Sequence, residues 1–289
     1  MDSSRRTEGF ALALTAAVLW GLGPTATKLA LAGYPPELVG VARLGSAALL
    51  FRLLCGPTTR WLPRDVWSVL AGVGLGVDFV LYNYGVQRTT AGAAAVLLNL
   101  GSVTTPLFAR WLLRERLDAR RLTGIALTLA GVSWVASDGL DPRDLLGSER
   151  VVGNLLVLVA TTCWSFYAVA QQRARTDRTG PQLMAPIFVV GAALSLLVLP
   201  GMHATVVGGL VPTVALAVLA LVCTAAVYVV YARSQECLPL SVLSTVHATV
   251  PLFSITLAAV VLGEPLTPRL AVGAGAVMVG ILVGVKRSA

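Results

Sequence analysis

Two titratable side chains stand inside long apolar stretches of this sequence, where they could carry a proton. Asp78 lies in "GLGVDFVLYNYG" and His247 lies in "STVHATVPLF". A carboxyl group or an imidazole held away from bulk water can bind and release a proton near neutral pH. Both also have a structural interpretation, because Asp78 could form an ion pair with Arg43 or Lys28 and His247 could hydrogen bond to a neighbouring helix.

Amide and aromatic side chains accompany these two groups. Amides can bind an amino-acid-like or sugar-like solute without adding charge, although they also hold helices together. Aromatic rings suit an amphipathic organic solute better than a bare ion, and some of them serve as membrane-interface anchors or packing groups. The predicted substrate-binding side chains are Trp20, Tyr82, Asn83, Asn99, Trp164, Tyr167, Gln171 and His247.

Prolines interrupt the apolar stretches at two corresponding places. Pro106 lies in "TTPLF" and Pro251 lies in "TVPLF". A proline inside a helix removes a backbone donor and frees a carbonyl group, which bends the helix. We therefore predict a hinge at each proline, with Asn99 and His247 on the cavity side.

The elements that position these residues are predicted to be membrane-spanning helices. The chain is 56% hydrophobic and 12% charged, whereas soluble domains are about a quarter charged. Continuous apolar runs of about twenty residues recur, each long enough to cross a bilayer as a helix. The ten predicted spans are Phe10–Ala32, Leu38–Cys55, Val66–Val86, Thr89–Leu113, Leu122–Ser137, Val151–Ala170, Gln182–Leu199, Val211–Ala232, Leu240–Leu262 and Leu270–Val285.

The net charge of +8 follows from how the basic residues are distributed. Most of them lie at the termini or in the even-numbered connections, with a dense cluster from Arg110 to Arg121. Basic residues favour the cytoplasmic side of a membrane, so both termini are predicted to be cytoplasmic. This explanation replaces nucleic-acid binding as the cause of the charge. A cleaved signal peptide is the alternative for the first span, but that span is longer than a signal sequence requires.

Enzyme and cofactor signatures are missing from the sequence. It contains no GxxxxGK[ST], no Gly-x-Ser-x-Gly and no His-Glu-x-x-His, which argues against ATP hydrolysis and against those catalytic classes. The four cysteines form no CxxC pair and the two histidines are far apart, so no metal site is predicted. We therefore predict a protein that is not an enzyme and has no cofactor.

The two halves of the chain resemble each other. Trp164 follows Trp20 by 144 residues, and Pro251 follows Pro106 by 145. Five helices in each half would place the second half upside down relative to the first, which is the inverted repeat of many secondary transporters. The predicted division is a first repeat at 1–137, a connecting loop at 138–150 and a second repeat at 151–289.

These motifs resemble the EamA family of the drug/metabolite transporter superfamily. The matching stretches are "WGLGPTATKLA", "YPPELVGVARL", "RTTAGAAAVLLNLGSVTTPLF" and "LPLSVLSTVHATVPLFSITLAAVVLGEPLTPRLAVGAGAVMVGI". The resemblance implies ten helices, an inner-membrane location and efflux of amino acids or other metabolites. Two features depart from the pattern: the spacing from Pro106 to Glu115 is short, and Gln172 stands where the first half has Lys28.

We therefore predict a secondary transporter that exports a small metabolite, such as an amino acid, from the cytoplasm. Its partners would be that solute, the lipid bilayer and, as coupling ion, protons. The alternatives are uptake or exchange by the same fold, and an intramembrane lipid-handling enzyme or flippase. Small residues four apart (Ala276, Gly280 and Gly284) allow close helix packing, either within the chain or in a homodimer.

Overall fold

The computed structural model of the chain describes residues 3–56, 60–114, 117–137, 148–174, 180–198, 206–238, 243, 246 and 249–284. Within these residues the chain forms ten helices and no strand, which confirms the all-helical prediction. The helices are α1 Ser3–Leu31, α2 Pro36–Leu54, α3 Val66–Arg88, α4 Ala91–Leu112, α5 Ala119–Ala136, α6 Glu149–Ala174, α7 Gly180–Val198, α8 (consecutive segments Leu210–Ala217, Val218–Ala226 and Val227–Cys237), α9 Val250–Leu262 and α10 Pro268–Gly284. Most of the predicted connecting loop at 138–150 lies outside the described residues.

Five of the described helical stretches are long and apolar enough to cross a membrane. They are Thr7–Leu31, Val66–Arg88, Ala91–Leu112, Glu149–Ala174 and Leu210–Tyr231. Gln182–Leu197, Val250–Leu262 and Pro268–Gly284 are shorter and also apolar. The structure therefore has the composition and the helix lengths of a membrane protein.

Polar caps set several helix starts that apolar runs cannot define. The Asp65 carboxylate accepts a hydrogen bond from the Ser68 amide at 2.8 Å, and α3 begins at Val66, directly after Asp65. Asp118 does the same for Arg121, so α5 begins at Ala119, three residues before the predicted span. Such side chains satisfy amide groups that the first helical turn leaves unpaired.

Two helices change their winding midway. In α4 a 3₁₀ turn at Leu98–Leu100 precedes the segment that contains Pro106. In α8 the segment Val218–Ala226 is a π-helix, and the Thr224 hydroxyl donates to the Leu219 carbonyl oxygen five residues earlier, at 2.9 Å. Pro251 lies in the first turn of α9, after a turn at Thr249. Proline commonly occupies a first turn, because the amide group it lacks would have no helical partner there.

Packing between helices places α2 and α3 near the centre of the bundle. Helix α3 lies against α6 and α7, and α2 lies against α7 and the π segment of α8. Helix α1 contacts α8 and α9, while α5 pairs with α10. The rings of Phe51 and Phe188 stack at 5.8 Å where α2 meets α7. Residues on the facing sides of α2 and α3 are therefore held by a packed core.

The small residues of α10 are used within the chain. A methyl group built on Gly280 would lie 2.5 Å from the Thr128 hydroxyl oxygen and 2.8 Å from the Gly124 carbonyl oxygen. Similar contacts join Gly131 to Gly273. Glycine therefore lets the backbones of α5 and α10 approach closely, as the first of the two packing alternatives predicts.

Candidate substrate-binding site

Two side chains of opposite charge meet between α2 and α3 without a direct salt bridge. Arg43 on α2 donates from Nε to the Thr224 hydroxyl at 3.0 Å. Its guanidinium carbon lies 4.4 Å from the centre of the Phe79 ring and 6.0 Å from that of Tyr82. Asp78 on α3 is 6% exposed and interacts electrostatically with Arg43. Within the described part of the chain, Asp78 forms no hydrogen bond and no ion pair.

This arrangement leaves charge available to a solute. A buried ion is normally paired, because removing it from water is costly. Arg43 uses Nε for Thr224, and the described residues offer no carboxylate within ion-pair distance of its guanidinium group. The π segment of α8 contributes here by presenting Thr224 to Arg43, and π segments often occur at functional sites. The sequence analysis did not identify Thr224, because no local pattern marks the π segment.

An aromatic cluster joins α1, α6 and α8 around Tyr228. The Trp20 ring of α1 lies 5.1 Å from the Tyr231 ring and 6.0 Å from the Tyr228 ring, both edge to face. The Tyr228 hydroxyl lies beside the side chains of Trp164 and Tyr167. The rings of Trp164 and Tyr167 are 6.4 Å apart. The structure therefore connects Trp20 and Trp164 through Tyr228.

The predicted amide ligands have hydrogen-bond partners inside the protein. Asn83 donates to the Pro36 carbonyl oxygen at 2.8 Å. Asn99 donates to the Ala95 carbonyl oxygen of its own helix at 2.9 Å, and Gln171 donates to the Met184 sulfur at 3.3 Å. The amide nitrogens of these three residues therefore connect backbone or helices in this conformation.

The remaining predicted site residues are placed as follows. Tyr82 is buried beside Arg43, and the Tyr167 hydroxyl donates to Met184 at 3.6 Å. His247 lies outside the described residues. Among the residues that the structure describes, no group of three His, Cys, Asp or Glu side chains could hold a metal ion.

Lys28 contacts Glu264 and not Asp78. Its Nζ lies 3.8 Å from the Glu264 carboxylate and donates to the Thr89 carbonyl oxygen. The two oxygens of Glu264 accept from the first two amides of α4, those of Ala91 at 2.7 Å and Gly92 at 3.0 Å. This cluster, which we call the Glu264 latch, ties together the end of α1, the start of α4 and the α9–α10 connection.

Local sequence explains how Glu264 reaches α4. Gly263 ends α9 in the left-handed conformation, with φ 68°, a conformation that favours glycine. The chain then turns so that Glu264 faces α4, where the positive end of the helix attracts a carboxylate. Glu264 therefore anchors the α9–α10 turn to the start of α4 and to Lys28.

The latch belongs to one end of the bundle, which we call the distal end. Hydrogen bonds at this end join the last turns of α1, α3 and α5 to the first turns of α4, α6 and α10. At this end the amides of Val207 and Gly208 donate to the Gly33 carbonyl oxygen at 3.1 and 3.0 Å. Arg269 donates to the Trp134 carbonyl oxygen at 2.9 Å. The distal end is therefore cross-linked by polar contacts between several helices.

A helical bundle that holds a partly buried arginine and a buried aspartate beside aromatic rings has the intramembrane charges that commonly mark a substrate or ion pathway. Comparison with known proteins identifies the family. The sequence profile of the EamA-like transporter family matches residues 7–137 and again 151–285. The chain belongs to the EamA-like transporter family, which confirms the resemblance found in the sequence. It is a transporter and not an enzyme.

Several relatives carry functional names. A probable amino-acid metabolite efflux pump of Escherichia coli (strain K12) is 26% identical, with 95% of this chain and 93% of that protein covered. A probable terminal-alkyne amino-acid exporter of Streptantibioticus cattleyicolor is 25% identical, with 96% and 93% covered. A solved crystal structure superposes with a TM-score of 0.70 at 23% identity and covers 98% of both chains, which shows a shared fold.

Proposed function

We propose that this chain is a secondary transporter that exports a zwitterionic amino acid across the cytoplasmic membrane. The observation that carries the proposal is the unbridged pair of Arg43 and Asp78 on facing helices. An α-amino acid has a carboxylate that suits a guanidinium group and an ammonium group that suits a carboxylate. Its side chain would lie against the rings of Trp20 and Trp164. Export is the direction in the names of the two relatives described above.

Alternating access would follow from two inverted five-helix repeats, 1–137 and 151–289. The double match of the family profile supports this division. The helix contacts support it too. When each helix is replaced by its counterpart in the other half, five helices away, the same helix pairs are in contact. Helix α3 packs on α6 as α8 packs on α1, and α4 packs on α6 as α9 packs on α1. Helices α2 and α7, α4 and α9, and α5 and α10 pair with their own counterparts.

The orientation we propose places both termini in the cytoplasm and the distal end outside. The even-numbered connections carry most of the arginines, including Arg114, Arg120 and Arg121, which favours that side as cytoplasmic. The Glu264 latch would then close the extracytoplasmic end, and Asp78 could exchange a proton for the substrate ammonium group. Relatives of this chain include an inner membrane transporter of Escherichia coli.

A lipid substrate is supported less well. An apolar groove of about 440 Å³ lies between α1, α8 and α9 and is lined by residues such as Leu22, Leu29 and Val214. It could hold an acyl chain, but the described residues of its lining include no charged side chain that would bind a headgroup. The Arg43–Asp78 pair is therefore the better guide to the substrate.

Counterflow in proteoliposomes tests the proposal with substrates that lack one charge. We expect saturable exchange of a free amino acid and loss of exchange for its N-acetyl and methyl ester derivatives. Arg43→Gln should exchange the free amino acid no better than its methyl ester. Asp78→Asn should exchange the free amino acid no better than its N-acetyl derivative. Equal exchange of all three compounds by the unmodified protein would refute the zwitterion site. Exchange without any net export against a gradient would favour a facilitated exchanger.

A further inference from the structure

Glu37 is a buried acidic residue in the first turn of α2, and it plays no part in the site described above. It is 0% exposed. Its Oε1 accepts a hydrogen bond from the Tyr84 hydroxyl, whereas its Oε2 has no hydrogen-bond partner. Within the described residues no lysine or arginine lies within ion-pair distance of it. An ionised carboxylate in this position would be a buried charge without a counterion, and the nearby helix end offsets only a small part of that cost.

Asn83 is a buried side chain whose amide oxygen lacks a hydrogen-bond donor. It is 0% exposed, and its Oδ1 has no hydrogen-bond partner, although its Nδ2 donates to the Pro36 carbonyl oxygen at 2.8 Å. Exchanging the oxygen and nitrogen of the Asn83 amide would still leave its oxygen without a donor, because that oxygen would then face the Pro36 carbonyl oxygen. Asn83 therefore presents a buried acceptor that lacks a donor.

The two unpaired oxygens belong to the same contact between α2 and α3. Asn83 and Tyr84 are consecutive on α3, and they bond to the consecutive residues Pro36 and Glu37 of α2. A hydrogen on Oε2 of Glu37 would remove the uncompensated charge and add a donor to a contact that has an unpaired acceptor. We propose that Glu37 is a proton-binding site, occupied while the distal end is closed, whose proton helps to hold α2 against α3.

Other occupants suit the site less well. A metal cation needs several oxygen ligands at once, and among the described side chains only two unpaired oxygens lie in this contact. The charged group nearest on α3 is Arg88, which donates to the Tyr84 carbonyl oxygen and lies 5.6 Å from the Tyr84 ring. Helix α7 has no titratable residue between Gly180 and Val198, and α8 has none between Leu210 and Val222. Lys28 of α1 is engaged by Glu264.

The consequence for transport rests on the proposed function. When the distal end opens, Glu37 exchanges its proton with water on that side, and closing the contact with α3 forms or retains the O–H bond on Oε2. No other bond changes. One proton is therefore buried each time the distal end closes with Glu37 protonated, which would connect the closing step to the external proton concentration.

Infrared difference spectroscopy tests proton binding without any substrate. Spectra of the purified protein at acidic and neutral pH should contain a protonated-carboxyl band that is lost in Glu37→Gln and kept in Glu149→Gln, an exposed control of the same type. Glutamine imitates the protonated acid, since it is uncharged, its amide oxygen can accept from Tyr84 and its amide nitrogen is a donor. Glu37→Gln should therefore melt like the unmodified protein, whereas Glu37→Leu should melt at a lower temperature. Absence of the band, or its survival in Glu37→Gln, would overturn the proposal.

Transport measurements separate this inference from the proposed function. In proteoliposomes, Glu37→Gln should keep counterflow but weaken accumulation driven by a pH gradient, since only Asp78 would then exchange protons. If the unmodified protein shows no counterflow, the amino-acid proposal fails while the infrared result still decides whether Glu37 binds a proton. A melting temperature raised by sodium in the unmodified protein but not in Glu37→Gln would assign the site to a cation and overturn the proton.

Discussion

Breaking the Glu264 latch should open the distal end. In Glu264→Gln one oxygen can still accept from an amide of α4, but the second amide faces the glutamine nitrogen and loses its acceptor. A hydrogen bond to a charged group contributes about 1.5–3 kcal/mol. The pair with Lys28, at 3.8 Å with the lysine side chain 33% exposed, adds at most about 1 kcal/mol.

The closed state should therefore lose about 2–3 kcal/mol relative to the open state. Since about 1.4 kcal/mol corresponds to a factor of ten, the ratio of open to closed protein rises roughly 30- to 150-fold. Ala93 provides the reporter position, because it lies in the first turn of α4 and is 5% exposed. With the four native cysteines replaced, a maleimide should label Ala93→Cys slowly in the parent protein and faster by a similar factor in Glu264→Gln.

Glu149→Gln serves as the matched control, because Glu149 is exposed at the same end and is not one of the latch residues. It should leave the labelling rate unchanged. Equal labelling of Glu264→Gln and its parent, in proteins that melt at the same temperature, would refute the role of Glu264 in closing this end. A large fall in melting temperature would instead make Glu264 a determinant of overall stability.

Three further substitutions test other parts of the structure. Asp78→Asn should lower amino-acid exchange at least about tenfold, because the ammonium group loses a charged partner worth more than about 1.4 kcal/mol, while its melting temperature changes little; unchanged exchange would remove Asp78 from the site. Trp164→Ala should raise KM for exchange roughly tenfold through lost ring contact, and a fall in melting temperature without a change in KM would make it a packing residue. Gly280→Val should destabilise the α5–α10 contact by about 1–3 kcal/mol, detected as a lower melting temperature, and normal stability would contradict the close backbone contact at Thr128.

Sequence predicted the helices well where apolar length decides the structure. Helix α3 was predicted at Val66–Val86 and runs Val66–Arg88, because a continuous apolar stretch in lipid must satisfy its backbone groups internally. The first helix begins earlier than predicted, at Ser3, since polar residues can continue a helix beyond its apolar part. The π segment of α8 could not be predicted, because its residues differ little in hydropathy from those around them.

The candidate site was harder to predict, because its pairings are long-range. Lys28 was expected near Asp78 as one alternative, yet its acidic neighbour is Glu264, in the other half of the chain. Glu37 was overlooked, since it stands next to two prolines at the edge of an apolar run. Its burial depends on how α2 packs against α3 and α7, and the sequence pattern does not contain that information. The role of each predicted residue in substrate binding stays a prediction.

The proposed substrate site and the proposed proton site lie on the same two helices. On α2, Arg43 follows Glu37 by six residues, and on α3, Tyr84 follows Asp78 by six. At 1.5 Å per residue each separation is about 9 Å along the helix axis. A zwitterion that bridges Arg43 and Asp78 would fix the distance between α2 and α3 at those two residues. Because the helices are rigid, a change in that distance would also change the distance between α2 and α3 at Glu37 and Tyr84. Substrate binding and proton binding would therefore be coupled through the spacing of two helices, without a separate relay between the sites.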